Sequence, residues 1–202
     1  MVFVTRKDLP VSSVDELIAL ARKSADKPLT YGSVGIGSLY HLILENVQAQ
    51  TGIKLAHVPY KGNAPLLQDI GGGQVDFAVL VYSAAMGALA EQGKMKVIGQ
   101  LGAQRSELLK NLPTASEGQA LKNFSYKIWT GFMVPKSTPE DVVNRLHAAI
   151  GKTLKDPTVL SQLAAQTQVA SAPMTLAESA KFFEAETARY RAIAKQINLQ
   201  PQ

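Results

Sequence analysis

The run Val75–Val81, VDFAVLV, constrains this chain more than any other stretch. It follows a turn of three glycines, Gly71 to Gly73, and Asp76 near its start is its only polar residue. A short strand that is apolar on successive residues is buried on both faces, so helices must cover the sheet above and below. The neighbouring segments supply that arrangement. VFVT (2–5), LTYGS (29–33), KLAHVPY (54–60) and MKVIGQL (95–101) read as further strands. Ser13 with Glu16 reads as a capping box opening a helix to Lys23. From Ser38 a second helix carries Leu39, Leu42, Ile43 and Val47 at helical spacing, with Gly52 as its C-terminal glycine. Helices over 64–70 and from Ser83 to about Gln92 complete the alternation. The pattern predicts an α/β fold with a largely parallel sheet.

The second half differs. AQRSELLKNLPTASEGQALKN (103–123) is polar and punctuated. FSYKIWTGFMVP (124–135) reads as a long strand. Thr138 as N-cap, Pro139 at the first position and acids in the first turn start a helix to about Lys155. DPTVLSQLAAQ (156–166) begins another, and Thr175 with Glu178 is a second capping box before a long helix to about Ile197.

Composition narrows the function. The net charge of +5 comes from lysines and arginines spread along 202 residues, with no run longer than two. A nucleic-acid binder concentrates them on one element, so that class is not expected. Without cysteine there is no disulfide and no Cys-ligated metal. His41, His57 and His147 lack metal-site spacing, and no metal or cofactor is predicted. No apolar run approaches the roughly 18 residues of a membrane helix. The opening MVFVTRKDLP lacks the apolar core of a secretory signal.

The densest chemical signal is YGSVGIGS (31–38), three glycines and two serines before a helix. Amides at a helix start point outward with partial positive charge, and glycines let a bound group approach closely. An anion cradle and a plain tight turn capped by Ser38 both fit this pattern. Nucleotide and hydrolase loops do not. A dinucleotide fingerprint would need glycine where Tyr40 stands, and neither G-K-[ST] nor G-x-S-x-G occurs.

YGSVGIGSLYH, HVPYKGNAPLLQDIGGGQVDFA, NLPTASEG and WTGFMVPKSTPEDVVNRLHAAI follow one another in an order and spacing that resembles the Bug, or TctC-type, receptors of tripartite tricarboxylate transporters. The resemblance covers essentially the whole chain. It implies a two-lobed clamshell of the type II periplasmic-binding-protein kind, with the N-terminal half of one lobe and a signal peptide missing before Met1. Residues 6–126 would be the complete middle lobe and 127–202 the C-terminal part of the other, with hinge strands near 2–5 and 127–131. It implies a periplasmic receptor that performs no chemistry, takes a small carboxylate and hands it to a membrane permease.

On this mapping the ligand meets Ser33, Gly35, Ile36, Gly37 and Ser38, then Tyr60, Lys61 and Gly62, then Tyr82 and Ser83. Amides of 35–38 would grip a carboxylate, with the Ser33 and Ser38 hydroxyls adding bonds. Many relatives carry an acidic or polar residue at the end of the strand that holds Leu80 and Val81. Its absence here favours an aliphatic or aromatic carboxylate over an amino acid. Bland readings stand beside these: Tyr60 packing, Lys61 solvated, Asp76 stabilising a turn, His41 a partly buried helix residue, Trp129 core. An α/β enzyme using Lys61 or Asp76 on an anion is the rival function, disfavoured because no acid, base and nucleophile set is evident. A domain that has lost binding is the third.

Overall fold

The structure is a computed structural model, and it describes residues 1–165, 168–197 and 199. Five strands, β1 (Val2–Arg6), β2 (Leu29–Ser33), β3 (Leu55–Pro59), β4 (Phe77–Leu80) and β5 (Met95–Gln100), form one sheet in the order β3-β2-β4-β1-β5. The helices are α1 (Val14–Lys23), α2 (Leu39–Thr51), α3 (Asn63–Gly71), α4 (Ala84–Glu91), α5 (Glu140–Thr153), α6 (Pro157–Ala165) and α7 (Leu176–Gln196). The α/β class is as the alternation predicts, and β4, the apolar run, is buried along its whole length.

The sheet departs from the expectation in one respect. β2 pairs in parallel with β3 and β4, but β1 is antiparallel to both β4 and β5. It inserts between them with Phe3 opposite Val79 on one side and Gly99 on the other. Strand propensity in VFVT identifies a strand but carries no information on its direction, which depends on the path of the whole chain.

Helix ends follow the local sequence with small shifts. Ser13 accepts the Glu16 amide at 3.2 Å, although the Glu16 carboxylate turns to the Ser12 amide and hydroxyl instead of completing the box. Thr175 and Glu178 form the full reciprocal pair. Gly52 ends α2 in the left-handed region, φ 68°. The cap of α5 shifts by one: Pro139 occupies it, not Thr138. Gln166, at the end of the stretch DPTVLSQLAAQ, lies outside the described residues, as do 167, 198 and 200–202.

The long strand predicted over 124–135 is corrected. None of these residues is in a strand, including the proposed hinge strand at 127–131. Phe124 and Tyr126 are buried and the Tyr126 amide donates to Leu101 O, but beyond them Phe132 is 80% exposed. Apolar β-branched and aromatic residues become a strand only where a neighbouring backbone completes the ladder, and no described strand runs alongside.

The chain divides into two compact units, residues 1–128 with 193–202, and residues 129–192. The first holds the sheet and the core, built on Phe3, Tyr31, Ile43, Leu44, Leu66, Ile70, Phe77 and Leu80. Its irregular segment 103–123 is pinned by side chains: Gln100 Nε2 donates to Leu109 O and Leu112 O, and Asp15 accepts the Gln119 and Ala120 amides. In the second unit Trp129 packs edge-on against Phe182 with centroids 5.2 Å apart, and its indole N–H donates to Glu186 at 3.1 Å.

Candidate functional site

In the order β3-β2-β4, three parallel strands lie side by side and each runs directly into a helix. The starts of α2, α3 and α4 therefore gather at the carboxyl edge of the sheet, where open α/β sheets bind ligands. This brings the three predicted groups to one edge: Ser33, the last residue of β2, with Gly35 to Ser38 after it, Tyr60 to Gly62 after β3, and Tyr82 and Ser83 after β4. Asp76 stands at the opposite end of β4, bonded to Arg6 and Thr30.

The loop after β2 spends most of its polar groups on itself. The Ser33 hydroxyl, 0% exposed, bonds to Gly35 O at 3.0 Å and to His57 Nε2 at 2.7 Å, and accepts the Gly35 amide. The Gly37 amide donates to His41 Nδ1 at 3.2 Å, and the Ser38 amide donates to Gly35 O. The Ser38 hydroxyl caps α2 by accepting the His41 amide. Gly35 and Gly37 adopt φ 122° and 78°, which side-chain-bearing residues rarely reach. The Val34, Ile36, Leu39 and Tyr40 amides have no partner among the described residues. So of the four predicted amide donors, Ile36 is open, and the helix-start amides of Leu39 and Tyr40 join it.

The other predicted residues have local duties as well. The Tyr60 hydroxyl donates to Asp69 on α3 at 2.8 Å; burial, with Asp69 beside it, pushes this phenol up to about 12. Lys61 is exposed, and Gly62 caps α3 without any side-chain hydrogen bond. Ser83 caps α4 by accepting the Met86 amide, and the Tyr82 hydroxyl lies against Gly87, where a Cβ would come within 2.5 Å.

Behind the loop stands a cluster that residue spacing did not reveal. His41 on α2 and His57 on β3 stack with ring centroids 4.3 Å apart, beside Tyr31 at 4.8 Å from His57. The Tyr31 hydroxyl donates to Glu45 at 2.5 Å, and Glu45 Oε1 lies 3.9 Å from His41 Nε2. Burial lowers His41, with Glu45 opposing, and lowers His57, with His41 adding to the effect. Tyr31 is raised by burial and by Glu45. The one available signal was the placement of His41 four residues after Gly37, at the N3 position of its helix. His57 had none, because its partner is set by the pairing of β2 with β3.

The Ser33–His57 contact has the form of a nucleophile and base, but a hydroxyl wholly buried and bonded to its own loop offers no attack path. Among the described residues no His, Asp or Glu group could hold a metal ion, and no helix is long and apolar enough to cross a membrane.

The sheet order with helix starts gathered on one edge defines an open α/β domain, and solved periplasmic binding proteins share this fold. The chain aligns with the periplasmic binding protein BugD with a TM-score of 0.79 and 27% identity, covering 100% of this chain and 67% of that one. A family model, the tripartite tricarboxylate transporter family receptor, matches residues 1–199, and the chain belongs to that family. R. palustris Rpa4515, a structure with adipate, aligns at TM-score 0.83 and 29% identity over 100% of this chain and 66% of that one. A UPF0065 protein from the tcbD-tcbE intergenic region of Pseudomonas sp. (strain P51) is 32% identical over 98% of this chain. The chain spans 58% of that relative's length.

Proposed function

We propose that this chain carries the carboxylate-gripping edge of a periplasmic solute-binding receptor, which captures a small carboxylate and presents it to a membrane permease without chemical change. The observation that carries the reading is the set of unpartnered amides at Val34, Ile36, Leu39 and Tyr40, around the start of α2 and at the carboxyl edge of three parallel strands. Helix-start amides and the helix dipole favour a carboxylate there. Tyr60, Lys61 and Gly62 after β3, with Tyr82 and Ser83 after β4, are the neighbouring contacts. Membership of the receptor family and the adipate in a relative's structure support the ligand class. The apolar end of β4 favours an aliphatic or aromatic carboxylate.

Calorimetric titration of the full gene product with adipate, benzoate, citrate, aspartate and glutamate tests this. Saturable binding of a carboxylate without an ammonium group is expected, with no turnover on prolonged incubation. Ile36→Pro, which removes one open N–H, is expected to weaken binding about tenfold, as loss of a charge-assisted hydrogen bond does. Conversion of any bound carboxylate to a product, or no binding of any member of the panel, would sink the reading.

A further inference from the structure

We propose that His41 is a positioning residue for the glycine loop: its neutral imidazole closes the start of α2 by accepting the Gly37 amide, and a proton on that ring releases it. The link to ligand binding rests on reading the loop as the anion grip.

The geometry is a capping box with an imidazole in the place of a carboxylate. In the usual box the N-cap hydroxyl accepts the N3 amide, and an N3 Glu side chain returns to a backbone amide at the cap. Here Ser38 is the N-cap and His41 is N3. The Ser38 hydroxyl accepts the His41 amide at 3.3 Å, and His41 Nδ1 accepts the amide of Gly37, one residue before the cap. Nδ1 is therefore unprotonated, and the ring proton sits on Nε2, the nitrogen facing Glu45.

The choice of histidine has a physical consequence. A glutamate at N3 would close the box but set a negative charge beside amides that await an anion. A neutral imidazole satisfies Gly37 without that repulsion. With Gly37 committed, the amides of Val34, Ile36, Leu39 and Tyr40 are the ones left for a ligand.

The ring is fixed from each side. His41 is 8% exposed. His57 from β3 stacks on it at 4.3 Å, Tyr31 from β2 lies 6.4 Å away, and Glu45 on its own helix faces Nε2. Burial opposes a charge on His41, and Glu45 favours one. His57 is itself lowered, by burial first and by His41 second, with Glu45 opposing. A second proton on His41 puts N–H against N–H at 3.2 Å, and the Gly37 bond is lost.

Nitrogen NMR on the ligand-free chain tests the cap apart from any ligand. Near neutral pH, His41 is expected as the Nε2–H tautomer, with scalar coupling between Gly37 N and His41 Nδ1. On acidification the Gly37 amide shift should move with the His41 midpoint. His41→Asn, whose amide oxygen stands close to the Nδ1 position, should keep the Gly37 bond and abolish its titration. His41→Ala should lose the bond at every pH. An Nδ1–H tautomer in the wild type, or a Gly37 amide unmoved in His41→Ala, overturns the proposal. With adipate as probe, His41→Ala should bind about fivefold to tenfold more weakly and His41→Asn within about twofold of wild type. Equal affinities in all three overturn the positioning role. Failure of the wild type to bind adipate counts against the anion reading of the loop, while the tautomer and the Gly37 amide still decide the cap.

Discussion

Arg6 Nε donates to Asp76 Oδ1 at 2.8 Å, joining the end of β1 to the start of β4 at the sheet edge away from the glycine loop. The other carboxylate oxygen accepts both the amide and the hydroxyl of Thr30, at 2.7 and 2.9 Å. One carboxylate thus clips β1, β2 and β4 together. Asp76→Ala is expected to cost about 2–3 kcal/mol, because it strands a guanidinium and an amide in a half-buried site. Burial raises the Asp76 carboxyl, but the bonds from Arg6 and Thr30 outweigh it and the group lies below its ordinary range. Its contribution is therefore complete above the unfolded value of ~3.9 and is lost as pH falls through the lower folded one. Denaturant titrations of wild type and variant at several acidic pH values check this; equal stability at neutral pH would refute it.

Gly32 faces α3 so closely that a Cβ would meet Leu66 Cδ1 at 2.1 Å. Leu66 is fully buried and has little room to yield. Gly32→Ala should lower stability by about 1–3 kcal/mol through overpacking. A thermal melt reads this directly, and pairing it with Leu66→Ala should recover part of the loss, since the two changes act on one contact.

Trp129 is the only tryptophan, so its emission reports on the 129–192 unit alone. Phe182→Ala removes the edge-on ring at 5.2 Å and admits water beside the indole. A red-shifted emission maximum and a loss of about 1 kcal/mol are expected, a modest figure because Phe182 is itself partly exposed. An unchanged emission spectrum would contradict the packing described.

His41 and His57 are both lowered by burial, so the unfolded chain binds protons that the folded chain refuses. Stability should be flat above the unfolded value of ~6.5 and fall as pH drops below it. Urea midpoints taken across that range check the slope. His41→Asn should make it shallower, because one of the two titrating rings is gone. A slope as steep in the variant as in the wild type would show that other groups carry it.

The linear order of residues determined what depends on near neighbours. Apolar runs bounded by glycine and proline marked β1 to β5. Ser13, Ser38 and Thr175 marked helix starts because a cap hydroxyl and its amide lie only three residues apart. The three loops of the candidate site were legible for the same reason, each being the short passage from a strand to a helix. Tertiary structure decided what depends on distant partners. It set β1 antiparallel in the sheet, and left 124–135 without the neighbour that would have made it a strand. It gave Asp76 to Arg6 across 70 residues and turned it from a possible base into a clip. It also committed Ser33 to His57 and Gly37 to His41, and so chose which amides remain open. Hydrogen-bonding capacity is written in residue types, but its allocation is settled only when the folded chain brings donors and acceptors within about 3 Å of one another.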